Sequence, residues 1–345
     1  MGHVVAGTCS WTEKTMIERW YPHGVSSAEE RLRYYASRFD TVEVDSSFYA
    51  IPRREYAEAW ARRTPPGFIF HVKAFGMMTG HEVDERALPP EMRDVGYEYT
   101  VTSHGRVRSP EARMVDHSFE IFSDAIQPLR EAGRMGGVLL QYPPWYTARD
   151  REETERVLGR IDYAIGQLSP VPVFVEFRHS SWAEERTLEK AARFLAERGA
   201  GLVAVDAPRV GDGSSMPPVS VATGPLGYVR FHGRNAATWG MRTASAADRF
   251  DYLYSDEELA EWVQPIRRLA EQTERTWVMF NNCKYDYAPR NAARMAEILG
   301  DVIACRSGGA RTGEPVAPLD PRDGRRVADA CDGYPESGEQ LGLGI

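Results

Sequence analysis

Eight short runs of β-branched and other apolar residues recur along the chain, and most are followed by a segment with helical spacing. They are Val4–Cys9, Thr41–Asp45, Phe68–Ala74, Gly137–Tyr142, Val171–Arg178, Gly201–Asp206, Gly227–Arg234 and Thr276–Asn282. Strand and helix in alternation specify a parallel sheet, because parallel neighbours need a long crossover and a helix supplies it. Eight such units in about 300 residues predict a closed (β/α)8 TIM-like barrel of the α/β class rather than an open doubly wound sheet. An open dinucleotide-binding sheet would place G-x-G-x-x-G after its first strand, whereas this turn reads Gly7-Thr-Cys-Ser-Trp11.

The helix signals fit that plan. Ser181-Trp-Ala-Glu184 and Ser255-Asp-Glu-Glu258 both read as capping boxes ahead of apolar residues at helical spacing. Pro289 opens the last helical segment and Gly300 closes it. Further helices are expected near 28–39, 53–64, 116–132 and 149–168. Two segments break the regularity. Residues 75–115 are charged and turn-rich, long enough for a lid-like insertion over the barrel mouth, and Val210–Pro225 is rich in Gly, Ser and Pro. One barrel domain is therefore expected over 3–304, followed by a Gly- and Pro-rich tail, 307–345, that reads as disordered.

Composition narrows the partners. Lys and Arg number 42 against 50 Asp and Glu, a net charge of −8 in 345 residues. This balance counts against nucleic acid without excluding it, since affinity for phosphates rests on Lys and Arg. No window approaches a membrane span, so no membrane partner is expected. The amino-terminal residues carry no signal-peptide pattern, and the four cysteines form no C-x-x-C pair. Both features lead to an expectation of reduced thiols and a cytoplasmic location.

Side chains alternate along a strand, so in a barrel one set faces the helices and the other the axis. Taking the apolar set as outward directs Glu43, Asp45, His71, Lys73, Gln141, Glu176, Arg178, Asp206, Arg230, His232 and Arg234 inward. Val203 and Val205 are then outward, and Asn282 ends the eighth run with its parity open. Nearly all these polar residues lie towards the carboxyl ends of their strands, where barrel active sites are built. Buried charges are costly, so eight of them converging at one end point to a functional site. Four acids interleaved with four cations favour an anionic substrate held by arginines over a polynuclear metal site. No cofactor is expected. One divalent ion on Glu43, Glu176 or Asp206 with a histidine stands as the alternative. Trp11, Phe48, Tyr49, Trp145, Tyr146, Trp182, Trp239 and Tyr285 follow the strands as a set suited to stacking on a flat organic face.

Several motifs carry a family resemblance: Gly7-Thr-Cys-Ser-Trp11, the Phe39–Tyr49 segment, Gln141-Tyr-Pro-Pro144, Val175–Trp182, Tyr228–Arg234 and Phe280-Asn-Asn282. Together they resemble the YecE-like family, classed as domain of unknown function seventy-two. The resemblance implies a TIM barrel and supplies no reaction. It places the family's polar residues on Glu43, Lys73, Gln141, Glu176, Arg178, His179, Asp206, Arg230, His232, Arg234 and Asn282, with a further histidine at His81. The chain departs from the family in its expanded segment after strand three and at Cys283-Lys-Tyr-Asp-Tyr287, both beside the mouth. A different substrate choice is expected from these departures. The family's likeness to endonuclease IV and sugar-isomerase barrels is an analogy of fold.

The candidate catalytic residues are thus Glu176, Glu43, Asp206, His232 and Lys73, with Glu176 as principal acid/base. The candidate substrate-binding residues are Arg178, Arg230, Arg234, Gln141, Asn282, His81, Trp11 and Tyr49. The first functional expectation is a hydrolase, lyase or isomerase acting on a small anionic substrate, phosphorylated or like a sugar or nucleotide. The alternatives are a nucleic-acid processing protein and a non-catalytic ligand-binding protein.

Overall fold

A computed structural model describes residues 2–300, apart from 94, 212 and 241–245. The tail at 307–345, expected to be disordered, lies outside the described residues. The eight apolar runs form eight barrel strands: β1 (His3–Thr8), β2 (Thr41–Val44), β3 (Ile69–Lys73), β4 (Met135–Gln141), β5 (Val173–Glu176), β6 (Gly201–Asp206), β7 (Leu226–Phe231) and β8 (Arg275–Phe280). They close into a ring in the order β1-β8-β7-β6-β5-β4-β3-β2. The first and last strands pair in parallel from His3 opposite Arg275 to Thr8 opposite Phe280, as the barrel reading requires. Closure leaves no sheet edge in the ring.

Two apolar layers follow from strand alternation. Val42, Val44, Phe70, Val72, Leu140, Val173, Val175, Val229, Phe231, Val278 and Phe280 join the layer between strands and helices. Leu139, Phe174, Val203, Val205, Tyr228, Trp277 and Met279 fill the inside of the ring. Towards its amino-terminal end the interior is plugged by aromatic rings. The His71 centroid lies 4.5 Å from that of Trp277 and 5.0 Å from that of Tyr228, and Phe174 lies 4.5 Å from Tyr228.

One strand is reversed from expectation. Val203 and Val205 of β6 point inward and Leu202 and Ala204 outward. Asp206 therefore faces the helix layer. Both faces of Gly201–Val205 are apolar, so alternation had no polar mark to orient it.

Helices fill the crossovers at Ala28–Arg38, Arg54–Arg63, Ala112–Glu131, Arg151–Leu168, Glu185–Ala196, Val263–Gln272 and Tyr287–Leu299. The Ser255/Glu258 capping box forms as expected. The one at Ser181 does not. Residues Ser180–Ala183 make a 3-10 turn and the helix begins at Glu185. The Ser181 hydroxyl is instead engaged by the Ala148 N–H at 2.9 Å and by His179 Nδ1 at 2.9 Å. The segment between β3 and helix Ala112–Glu131 carries its own structure. Short strands Val83–Asp84, Thr100–Val101 and Arg106–Arg108 pair antiparallel, with Arg106–Arg108 in the middle. Val83, Leu88, Met92 and Val107 anchor the segment to the main core. Among the described residues no helix is long and apolar enough to cross a membrane.

Candidate functional site

The inward polar residues converge on Arg230. Its Nη2 lies 2.6 Å from Glu43 Oε1 and its Nε 3.1 Å from Glu43 Oε2, a two-point grip. Its Nη1 lies 2.6 Å from Glu176 Oε2. The remaining carboxylate oxygens are also satisfied. Tyr228 donates its hydroxyl to Glu43 Oε2 at 2.8 Å, and Gln141 Nε2 donates to Glu176 Oε1 at 2.7 Å. His232 Nε2 sits 2.9 Å from the same Glu176 oxygen. Strands β2, β4, β5 and β7 all contribute through inward-facing residues, Glu43, Gln141, Glu176, and Tyr228 with Arg230. Glu43, Glu176 and Arg230 are wholly inaccessible to solvent.

This burial sets the charges. Desolvation alone would push the Glu176 carboxyl up, but Arg230 and His232 outweigh it and hold the group well below the usual carboxylate range. Glu43 moves the other way: burial raises it, and Arg230 only partly opposes. Glu176 is thus a fixed anion with both oxygens occupied. His232 is held neutral, its pKa lowered by burial against the pull of Glu176. Its Nε2 faces a carboxylate and so carries the proton. Its Nδ1, 2.9 Å from Asn281 Nδ2, is then the acceptor.

Above this buried layer a second set faces the opening. Lys73 Nζ lies 2.9 Å from Asp45 Oδ1 and 4.3 Å from the centroid of Phe48. His81 stands edge-on to Phe48 at 4.9 Å and to Trp145 at 5.7 Å, with Nδ1 held 2.9 Å from the Thr79 hydroxyl. Burial, with the charges of Lys73, Arg178 and Arg106, holds His81 well below the usual histidine range. Arg178 lays its guanidinium 5.0 Å from the Trp239 ring centroid and forms no ion pair among the described residues. Burial lowers its pKa to about 10, still above neutrality, so it stays charged. Tyr49 is half-buried against Phe48 at 5.2 Å, with Asp45 and Arg249 close enough to act on its hydroxyl.

Four expected site residues point elsewhere. Asp206 accepts from Trp262 Nε1 at 2.6 Å, Tyr254 at 2.7 Å and Arg234 Nη2 at 2.7 Å, all on the helix side of the ring. Arg234 goes with it and also pairs with Glu261 at 2.7 Å. Asn282 donates to the Tyr252 carbonyl at 2.9 Å and to Asn291 at 2.8 Å, tying loop to helix. Trp11 packs in the outer core, 5.6 Å from Trp60 and 6.3 Å from Phe70, both edge-on. Trp182, also expected at the rim, is buried and stacks on Phe177 at 4.1 Å.

Two site residues went unnoticed in the sequence: Tyr228 and Asn281. Tyr228 shares the parity of Arg230 and His232, and that signal was present. Asn281 shares the parity of Trp277 and Met279, which was masked because both faces of β8 are apolar. Trp239, expected among the aromatic residues at the mouth, is the ring that receives the Arg178 guanidinium.

The set does not fit a divalent ion on the candidate acids. The Arg230 guanidinium stands between Glu43 and Glu176, where a bridging cation would sit, and Asp206 lies on the other side of the wall. Among the described residues no three His, Cys, Asp or Glu side chains converge as a ligand set.

Comparison with known proteins agrees with this architecture. The family model described as protein of unknown function DUF72 matches residues 5–311. A curated relative, UPF0759 protein YunF of Bacillus subtilis, is 29% identical over 301 residues, covering 86% of this chain and 94% of the relative. The crystal structure of a DUF72 family protein from Thermotoga maritima superposes with a TM-score of 0.66 at 28% identity, covering 86% of this chain and 99% of that one. One from Enterococcus faecalis superposes with a TM-score of 0.67 at 23% identity, covering 86% and 95%, and shares the fold. With the family model spanning nearly the whole barrel, the chain belongs to the DUF72 family of proteins of unknown function.

Proposed function

We propose that the carboxyl-terminal mouth of the barrel binds a small organic anion and carries out acid/base chemistry on it, as a hydrolase, lyase or isomerase. One observation carries this reading. Arg178 is a charged guanidinium at the mouth, spread over an indole face, with no carboxylate partner among the described residues. Lys73 and His81 stand at the same opening. Arginine binds phosphate or carboxylate through two parallel hydrogen bonds, so an anionic substrate completes the pairing that the fold leaves open.

In this reading the buried acids position rather than react. Glu43 and Glu176 hold Arg230 and fix the His232 tautomer, and Gln141 locks Glu176. The proton-transfer group is His81, whose Nδ1 is pinned by Thr79 and whose other nitrogen is left for the substrate. Burial and the neighbouring cations keep this imidazole neutral. An incoming anion offsets those cations and raises its pKa towards neutrality, where general acid/base catalysis is most effective. Lys73 and Arg178 orient the anion.

The test is a panel of sugar phosphates, nucleotides and dicarboxylates, scored for thermal stabilisation and for turnover. A ligand at about a hundredfold excess over its Kd stabilises by about 2.7 kcal/mol. The expected result is stabilisation by anionic members only, abolished in Arg178→Gln, with turnover lost in His81→Gln while binding persists. Stabilisation by neutral analogues, or unchanged binding in Arg178→Gln, refutes the reading.

A further inference from the structure

A cavity of about 620 Å³ opens on the flank of the barrel between the segment after β6 and helix Val263–Gln272. None of Lys73, His81, Gln141 and Arg178 lines it. Its size is that of a small-molecule site rather than a packing defect. The charges around it are unevenly matched. Asp206, at its floor, is saturated by Trp262, Tyr254 and Arg234. Arg234 is matched in turn by Asp206 and Glu261 at 2.7 Å and by Glu258 at 3.6 Å. Arg209 and Arg268 line the same cavity, and neither forms an ion pair among the described residues.

Trp262, Ala207 and three prolines, Pro208, Pro218 and Pro265, supply most of the remaining wall, with Ser220 beside them. Proline has no N–H and a fixed φ, so the three prolines form rigid, apolar stretches with no backbone donor of their own. The donors left to a ligand come mainly from the arginines. We propose that this flank cavity is a second binding site, separate from the mouth, for an organic molecule with a doubly charged anionic head, phosphomonoester or dicarboxylate. Arg209 and Arg268 hold the head, and Trp262 with the prolines covers the apolar body.

Crystals of the full chain soaked in tungstate, a dianion that scatters anomalously, test both sites at once. A peak between Arg209 and Arg268 is expected whether or not one appears beside Arg178, so this site and the mouth stand or fall separately. Calorimetric titration with inorganic phosphate and with malonate at constant ionic strength then distinguishes the two head groups. It is carried out in the Arg178→Gln background, so that Arg178 does not contribute. Affinity for the preferred anion should fall at least tenfold when Arg209→Gln and Arg268→Gln are added. No anomalous peak in the flank cavity, or an affinity unchanged by those two substitutions, overturns the proposal.

Discussion

Arg178 and Trp239 meet across the barrel mouth, guanidinium to indole, at 5.0 Å from the ring centroid. The contact holds the cation in place without neutralising it. A cation–π contact of this kind contributes about 0.5–2 kcal/mol. Arg178→Gln is therefore expected to lower unfolding stability by no more than about 2 kcal/mol in a urea titration. A loss larger than that would mean that Arg178 is a structural residue with a partner of its own.

Glu176 presents the opposite case. Removing its charge leaves Arg230 buried with half of its compensation gone. Breaking a buried pair in this way costs about 3–5 kcal/mol. Glu176→Gln should unfold at markedly lower urea than the wild type, and Gln141→Leu should show a smaller loss of the same kind. A Glu176→Gln midpoint equal to that of the wild type would show that the hub does not depend on this carboxylate.

The tautomer of His232 can be read directly. Nitrogen-detected NMR on the labelled protein should find Nε2 protonated and Nδ1 bare, and the ring neutral at pH 7.5, because burial lowers its pKa from the ordinary histidine value. A doubly protonated ring at that pH would contradict the pairing with Asn281.

His71 predicts a pH dependence of stability. It lies among Phe174, Tyr228 and Trp277, and burial pushes its pKa from 6.5 down to about 3. The unfolded chain takes up a proton below pH 6.5, whereas the folded ring does so only near pH 3. Its contribution is therefore complete above pH 6.5 and is lost at about 1.4 kcal/mol per pH unit as pH falls through that window. His71→Phe should flatten the profile by that slope when urea midpoints are compared between pH 7 and 5. Parallel profiles for the two proteins would rule the effect out.

Gly80 sets the position of His81. Its φ is +81°, a left-handed conformation, and a Cβ there would fall 2.0 Å from the Tyr146 hydroxyl. Gly80→Ala should cost about 1–2 kcal/mol from the backbone alone. It should also shift the His81 ring resonances by moving the Thr79–His81 turn. An unaltered His81 spectrum would show that the turn adapts without moving the imidazole.

Much of this molecule could be read before any coordinates. The ring of eight strands followed from the spacing of apolar runs, and the Glu43, Glu176 and Arg230 constellation from alternation on strands whose outward faces are plainly apolar. Alternation failed on β6 and β8, where both faces are apolar and no polar residue marks the axis. Asp206 was misplaced for that reason, and Asn281 was overlooked in favour of Asn282. Trp11 and Trp182 were placed at the rim by position alone. Whether an aromatic residue after a strand turns inward or folds back on the helices depends on neighbours distant in sequence, such as Trp60 and Phe70. The roles of the two acids were hidden for a related reason, since a sequence shows that they converge but not that Arg230 occupies both.

The aromatic plug of His71, Phe174, Tyr228 and Trp277 makes the barrel a cup with one doorway. A ligand bound at the mouth, as proposed above, could leave only by the route it came, so a product would block the next substrate until it departed. Traffic in both directions then passes the rim beside His81 and Trp145, where the insertion after β3 begins. Changes in that segment would alter arrival and departure together.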